Sequence, residues 1–174
     1  MRKNNFLVFG QPNIRKKEIA AVVEVMESGW LGTGPKVKEF EEEFSNYKET
    51  QTESVVAVSS CSAALHLSLT ALTLNSEDEV LVPAMTFCAT LNAVIHCGAT
   101  PVLVDVDIDT FNICPEAIES KITDKTKAIV LVHFAGRCCD MDSILDLAHK
   151  HNLKIIEDCA HAIESEYHGE KAGT

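Results

Sequence analysis

No stretch of the 174-residue chain is apolar for long enough to span a bilayer. The basic opening MRKNNFLVFGQPNIRKKE also lacks the continuous apolar run a secretory signal needs. Phosphate-binding glycine loops are missing too. With no G-x-G-x-x-G and no P-loop lysine, nothing supports binding of a dinucleotide or a nucleoside triphosphate. The seven cysteines are odd in number, and no two stand as C-x-x-C, which argues against a disulfide framework. Most fall inside apolar runs, where cysteine acts as a small hydrophobe in a reducing compartment. Positive charge is in deficit. Lys and Arg number 15 against 26 Asp and Glu, for a formal charge of -11 and a pI near 5.0. Such an excess of carboxylates repels phosphate backbones, so neither nucleic acid nor an anionic membrane is an expected partner. Any anionic ligand must be held by a local feature against the overall field. There are no repeats, low-complexity segments or Gly/Ser linkers. The expectation is a soluble cytoplasmic protein, with one domain's worth of sequence in residues 1–174.

Within that span, residues 1–50 read as a helical segment and 51–174 as an α/β core. From Arg15 to Ser28, Ile19, Val22, Val23 and Met26 line one helical face, and Gly29 is placed to end the helix. From Lys36 to Tyr47, Val37, Phe40, Phe44 and Tyr47 recur at steps of three and four. Between them lies GWLGTGP, a turn-rich loop with the only tryptophan. The rhythm then changes. SVVAVS, EVLVP, PVLVDV, KAIVLVHF and LKIIED are short, β-branched and almost wholly apolar, and helical patterns at 61–73, 86–97, 115–121 and 140–151 separate them. Strands without in/out alternation are covered on both faces, and intervening helices imply parallel crossovers. The predicted fold is therefore α/β: an open, mostly parallel sheet of five strands with flanking helices. In such sheets ligands bind beyond the carboxyl ends of the strands.

Five segments near such ends could carry chemistry. In VSSCSAAL (58–65), hydroxyls and helix-start amides could hold an anion, with an ordinary serine N-cap as the competing reading. Phe87, in PAMTFCATLNAV, stands at a strand-to-helix turn where its face could stack on a planar ring or simply pack in the core. In VDVDIDTFNICPE, Asp105, Asp107, Asp109 and Glu116 occupy calcium-loop positions. The required glycine is replaced by Thr110, however, and an acidic turn before a Pro115-initiated helix is the better reading. VHFAGRCCDMD offers His133, Cys138, Cys139 and Asp140, but adjacent cysteines chelate one ion poorly and no second ligand pair appears at zinc spacing. In KIIEDCAHAIES, Asp158 ends a buried strand and needs a cationic or N–H partner, with His161 three residues on. Capping of a following helix is the alternative there, and an α/β metal-dependent hydrolase using Asp158, His161 and His133 is a rival at the level of function.

In this order, SGWLGTGPKVKEFEEEF, VSSCSAALHLSLTAL, EVLVPAMTFCATLNAVIHCGATPVLVDVD, KAIVLVHFAG and IIEDCAHAI closely resemble the DegT/DnrJ family of sugar aminotransferases. The family's members are pyridoxal-phosphate (PLP) enzymes of the aspartate-aminotransferase fold. The resemblance runs from about Gly10 onward and implies an incomplete PLP-transferase large domain. It implies that Ser62 and Ala63 hold the cofactor phosphate, Phe87 stacks on the pyridine ring, Asp158 pairs with the pyridine nitrogen and His161 lies near the phenolic oxygen. The implied reaction moves an amino group, usually from glutamate, onto a nucleotide-linked keto sugar, in homodimers with active sites at the interface. It also implies a Schiff-base lysine downstream of Thr174. Residues 1–174 are then expected to hold no catalytic lysine and to be inactive alone, an inactive or partner-binding remnant being the alternative. Lys171 matches a turn position of the family. Related dehydratases carry histidine in place of that lysine.

Overall fold

The computed structural model describes residues 12–174. Gly10 and the basic residues preceding Pro12 lie outside them. The described chain forms two compact units, divided between Ala57 and Val58.

Among the described residues of the first unit are two α-helices, α1 (Lys16–Ser28) and α2 (Pro35–Tyr47). The Glu18 carboxylate accepts the Arg15 backbone N–H at 2.6 Å at the start of α1. Gly29 closes it at φ +72°, a left-handed conformation that costs glycine little. The predicted apolar stripe is present, but its residues remain outside any core: Ile19, Val22, Val23 and Met26 are all exposed. The GWLGTGP loop folds on itself. The Trp30 indole N–H donates to the Thr33 carbonyl at 3.0 Å, and a Cβ at Gly34 would collide with the indole ring. Pro35 begins α2, where its missing N–H costs no hydrogen bond. Phe40 and Phe44 stack at 5.8 Å, and Lys48 lies 6.0 Å from the Phe44 ring centre.

SVVAVS is not a strand. Residues 55–58 belong to no strand and have no ladder partner among the described residues. The Val55 N–H donates to the Thr52 carbonyl, and the Ala57 N–H to the Glu41 carboxylate at 2.8 Å. An apolar run predicts burial, whereas a strand also requires a neighbour for its backbone groups. Here a side chain and a turn take that place.

The second unit follows the expected alternation: α3 (Cys61–Thr70), β1 (Glu79–Pro83), α4 (Cys88–His96), β2 (Thr100–Val104), α5 (Pro115–Lys121), β3 (Thr126–Val132), α6 (Met141–His151) and β4 (Lys154–Asp158). The four strands pair in parallel in the order β2-β1-β3-β4. A two-stranded antiparallel hairpin, β5 (Glu166–Tyr167) with β6 (Glu170–Lys171), comes last. The central strands are covered on both sides, as their unbroken apolar runs require. Leu81, Ile129 and Leu131 pack with Ile118 and Ile144 of α5 and α6. Val80, Val82, Ala128 and Val130 pack with Leu65, Leu69 and Val94 of α3 and α4. Full burial of each Val, Leu or Ile side chain among them contributes roughly 1.5–3 kcal/mol.

Two polar devices fix the loops around this core. Asp107 turns back on its own backbone, accepting the N–H groups of Asp109 and Thr110, so the acidic segment is a turn as expected. Asn112 is buried and bridges two loops. It donates to the carbonyls of Arg137 and Cys138, both at 3.0 Å, and accepts the Phe134 N–H at 2.9 Å. At the start of α6, Asp140 accepts the Ser143 N–H and hydroxyl, and the hydroxyl holds its carboxyl below the ordinary value. A depressed folded-state value stabilises the fold above the unfolded pKa, and the contribution fades as pH falls through the folded one. Asp140→Ala is therefore expected to cost about 1 kcal/mol at pH 7. In urea unfolding, that deficit should hold from pH 7 down to about pH 4 and shrink only below it.

Candidate functional site

Asp158 is the last residue of β4, paired in register with Val132 of β3, and is 6% exposed. Burying a carboxylate is costly unless donors replace its water. Three arrive from three chain segments. The Thr90 hydroxyl, from the first turn of α4, donates to Oδ2 at 3.0 Å. The Ala160 N–H donates to Oδ1 at 3.1 Å, and the Cys61 thiol, from the start of α3, to Oδ1 at 3.7 Å. All three donors are neutral. Thr90 is fully buried, and its oxygen lies 2.8 Å from that of Thr86. Partial desolvation, then the nearby Asp158 charge, pushes the Cys61 thiol up, so it remains a donor at neutral pH.

The starts of α3 and α4 thus converge on the end of β4, the edge where a parallel sheet presents ligands. Ser62 and Ala63 lie in the first turn of α3, where backbone N–H groups have no intrahelical acceptor. The expected serine cap is Ser60, whose hydroxyl oxygen accepts the Ala63 N–H at 3.2 Å. Phe87 immediately precedes α4 and is 76% exposed, so its ring stands outside the core. No helix follows Asp158. The Ala160 contact closes a turn, and the helix-cap reading gives way to a carboxylate that orders its own loop. His161 is exposed in that turn. Sequence reasoning missed Thr90 and Cys61, which read as ordinary helix residues. Their only signal was position, in the first turn of a helix that follows a strand or an extended run.

His133, the rival ligand, belongs to a different cluster. It is fully buried, accepts the Cys139 N–H at Nδ1 (3.0 Å) and meets Glu157 through Nε2 at 2.8 Å. With Nδ1 accepting, the ring's proton is on Nε2 and is donated to Glu157. Glu157 also accepts the Gly173 N–H at 2.9 Å. His133, Glu157 and Cys159 bring their ligand-type atoms within 4.8 Å of one another. A cation on Nε2 would nevertheless require an imidazolate, because Nδ1 already faces a donor. Neither Asp158 nor His161 is part of this cluster. A cavity of about 410 Å³ adjoins it, lined by His133, Glu157, Tyr167 and Lys171 among others.

The Asp158 edge suits a cofactor with a phosphate at one end and a cationic ring nitrogen at the other. Helix-start amides and a serine hydroxyl meet the first requirement. A buried carboxylate whose donors are all neutral meets the second, and the exposed Phe87 face adjoins the helix that carries Thr90. Sheet, helices and strand-end carboxylate together define the class: an α/β domain of the PLP-dependent transferase fold. The chain belongs to the DegT/DnrJ/EryC1/StrS aminotransferase family, whose profile matches residues 12–174. It is 48% identical to the spore coat polysaccharide biosynthesis protein SpsC of Bacillus subtilis over 95% of this chain and 42% of SpsC. An aminotransferase from Psychrobacter cryohalolentis superposes with a TM-score of 0.89 at 43% identity, covering 93% of this chain and 41% of that one. Spr1654 from Streptococcus pneumoniae, solved in a PLP form, superposes with a TM-score of 0.90 at 39% identity, covering 96% and 46%. The chain therefore spans less than half the length of the relatives it matches. PLP is the cofactor of this group.

Burial pushes the Cys139 thiol up to about 12, with the neighbouring Cys138 adding to the shift. In native protein at pH 8, iodoacetamide should modify the exposed Cys88 first, Cys61 more slowly because its thiol, with a raised pKa, is held by Asp158, and Cys139 only after unfolding. Peptide mapping of the alkylated sites would check the order.

Proposed function

We propose that this chain supplies the cofactor-holding part of a PLP-dependent sugar aminotransferase, and that Asp158 pairs with the cofactor's ring nitrogen. The amino donor is glutamate and the acceptor a keto sugar carried on a nucleotide. Family membership supports the reaction class, and the resemblance to SpsC supports a place in polysaccharide synthesis. The observation that carries the reading is the buried Asp158 carboxylate, held by donors from α3 and α4 that neutralise none of its charge.

When bound, PLP supplies an electron sink for the carbon that loses its proton during amino transfer. The residues' own tasks are simpler. Asp158 keeps the ring nitrogen protonated by charge-assisted hydrogen bonding. The first turn of α3 would hold the phosphate through backbone N–H groups and the Ser62 hydroxyl, with the Ala63 N–H now capped by Ser60 among them. Phe87 would offer its face to the ring, and His161, in the turn beyond Asp158, would lie near the phenolic oxygen. The working enzyme is a cytoplasmic homodimer that completes its sites across the interface. Among the described residues, no helix is long and apolar enough to cross a membrane.

In the full-length polypeptide carrying these residues, Asp158→Asn should lower turnover of a nucleotide-linked keto sugar with glutamate by about 100-fold or more. The urea midpoint should move little. Unchanged turnover would reduce Asp158 to a turn-closing residue.

Residues 1–174 alone should fix no cofactor on a single lysine. Lys171 lies in β6 and lines the cavity beside Glu157, not the Asp158 edge. Borohydride treatment with PLP followed by peptide mapping should find absent or scattered label, and stoichiometric labelling of Lys171 would contradict the proposal.

A further inference from the structure

The carboxylate of Asp158 is oriented by a chain of two hydroxyls whose direction can be read from donor counting. Thr90 gives its single proton to Oδ2 of Asp158, so the 2.8 Å contact with Thr86 must carry the Thr86 proton toward Thr90. Thr90, fully buried in the first turn of α4, spends its own proton on a residue 68 positions away. The donors described here place two protons on Oδ1, from Ala160 and Cys61, and one on Oδ2. A carboxylate has about four acceptor positions, so unspent capacity remains on Oδ2, the oxygen Thr90 holds.

We propose that Thr90, backed by Thr86, is the positioning residue that fixes the Asp158 carboxylate and directs the free acceptor position of Oδ2 to the ring nitrogen of the cofactor. This rests on the reading of Asp158 given above. Thr90 touches neither cofactor nor substrate and acts only through Asp158. A hydroxyl that merely satisfied a buried pocket would stabilise the fold without affecting how the ring nitrogen is recognised.

A pair of ligands separates these cases: PLP, and its 1-deaza analogue, in which C–H replaces the ring nitrogen. Their affinities for the cofactor-free, full-length polypeptide carrying residues 1–174 are measured by absorbance titration, and the ratio isolates the nitrogen contact. The unsubstituted protein should prefer PLP, and Asp158→Asn should abolish the preference. Thr90→Val should reduce it by about tenfold or more, as expected for loss of a hydrogen bond to a charged group. Thr90→Ser should restore it, and Thr86→Val, at a less buried position, should reduce it by a smaller factor. Thr86→Val also serves if Thr90→Val does not fold. A Thr90→Val protein, or in its absence a Thr86→Val protein, that retains the full ratio would overturn the positioning role while leaving Asp158 in place. So would equal weakening of both ligands. If the unsubstituted protein does not distinguish the two ligands, the Asp158 reading fails, and the role of Thr90 fails with it.

Discussion

A carboxylate taken out of water must be given substitutes for the hydrogen bonds it loses, or it will not stay charged. At Asp158 that requirement organises the surrounding chain. The strand ending there is short, and the backbone turns at once so that the Ala160 N–H can reach back to Oδ1. Two helices begin close enough to add a hydroxyl and a thiol. Those helices can approach because α3 and α4 cover the same face of the sheet, packed on Val80, Val82, Ala128 and Val130. The apolar core and the polar edge are thus a single arrangement. Packing sets where the helices start, and those starts supply the donors.

Most of this architecture was legible in residue order. Apolar runs of β-branched residues alternating with helical periodicity specify a parallel sheet with little ambiguity, and two helix ends fell at their punctuation, Gly29 and Pro115. SVVAVS shows the limit of that reasoning. Hydrophobic pattern reports what wants burial but is silent on whether a neighbouring strand is present. At 55–58, a glutamate and a turn occupy the backbone instead.

The site was legible only in part. Asp158 was visible because a charged residue at the end of an apolar strand is an anomaly that needs a reason. Phe87 and the serines were visible as residue types at strand-to-helix junctions. Thr90 and Cys61 were not, since a threonine or cysteine in an apolar helix looks like any other small core residue. Their significance lies in contacts spanning 68 and 97 positions of sequence, which no local pattern encodes. β4 compounds the difficulty by placing two adjacent carboxylates in unlike surroundings. Glu157 meets a buried histidine, while Asp158 meets only neutral donors.

Asn112 has a consequence for how the chain tolerates change in length. One side chain joins the loop after β2 to the loop after β3, spending both amide hydrogens and its oxygen on backbone groups 22 to 26 residues away. An inserted or deleted residue in 105–111 would therefore not be absorbed at the surface, as loop indels commonly are. It would pull the amide off three backbone partners and displace the segment leading from β3 into α6. The two loops behave as one rim, and their lengths can drift only together.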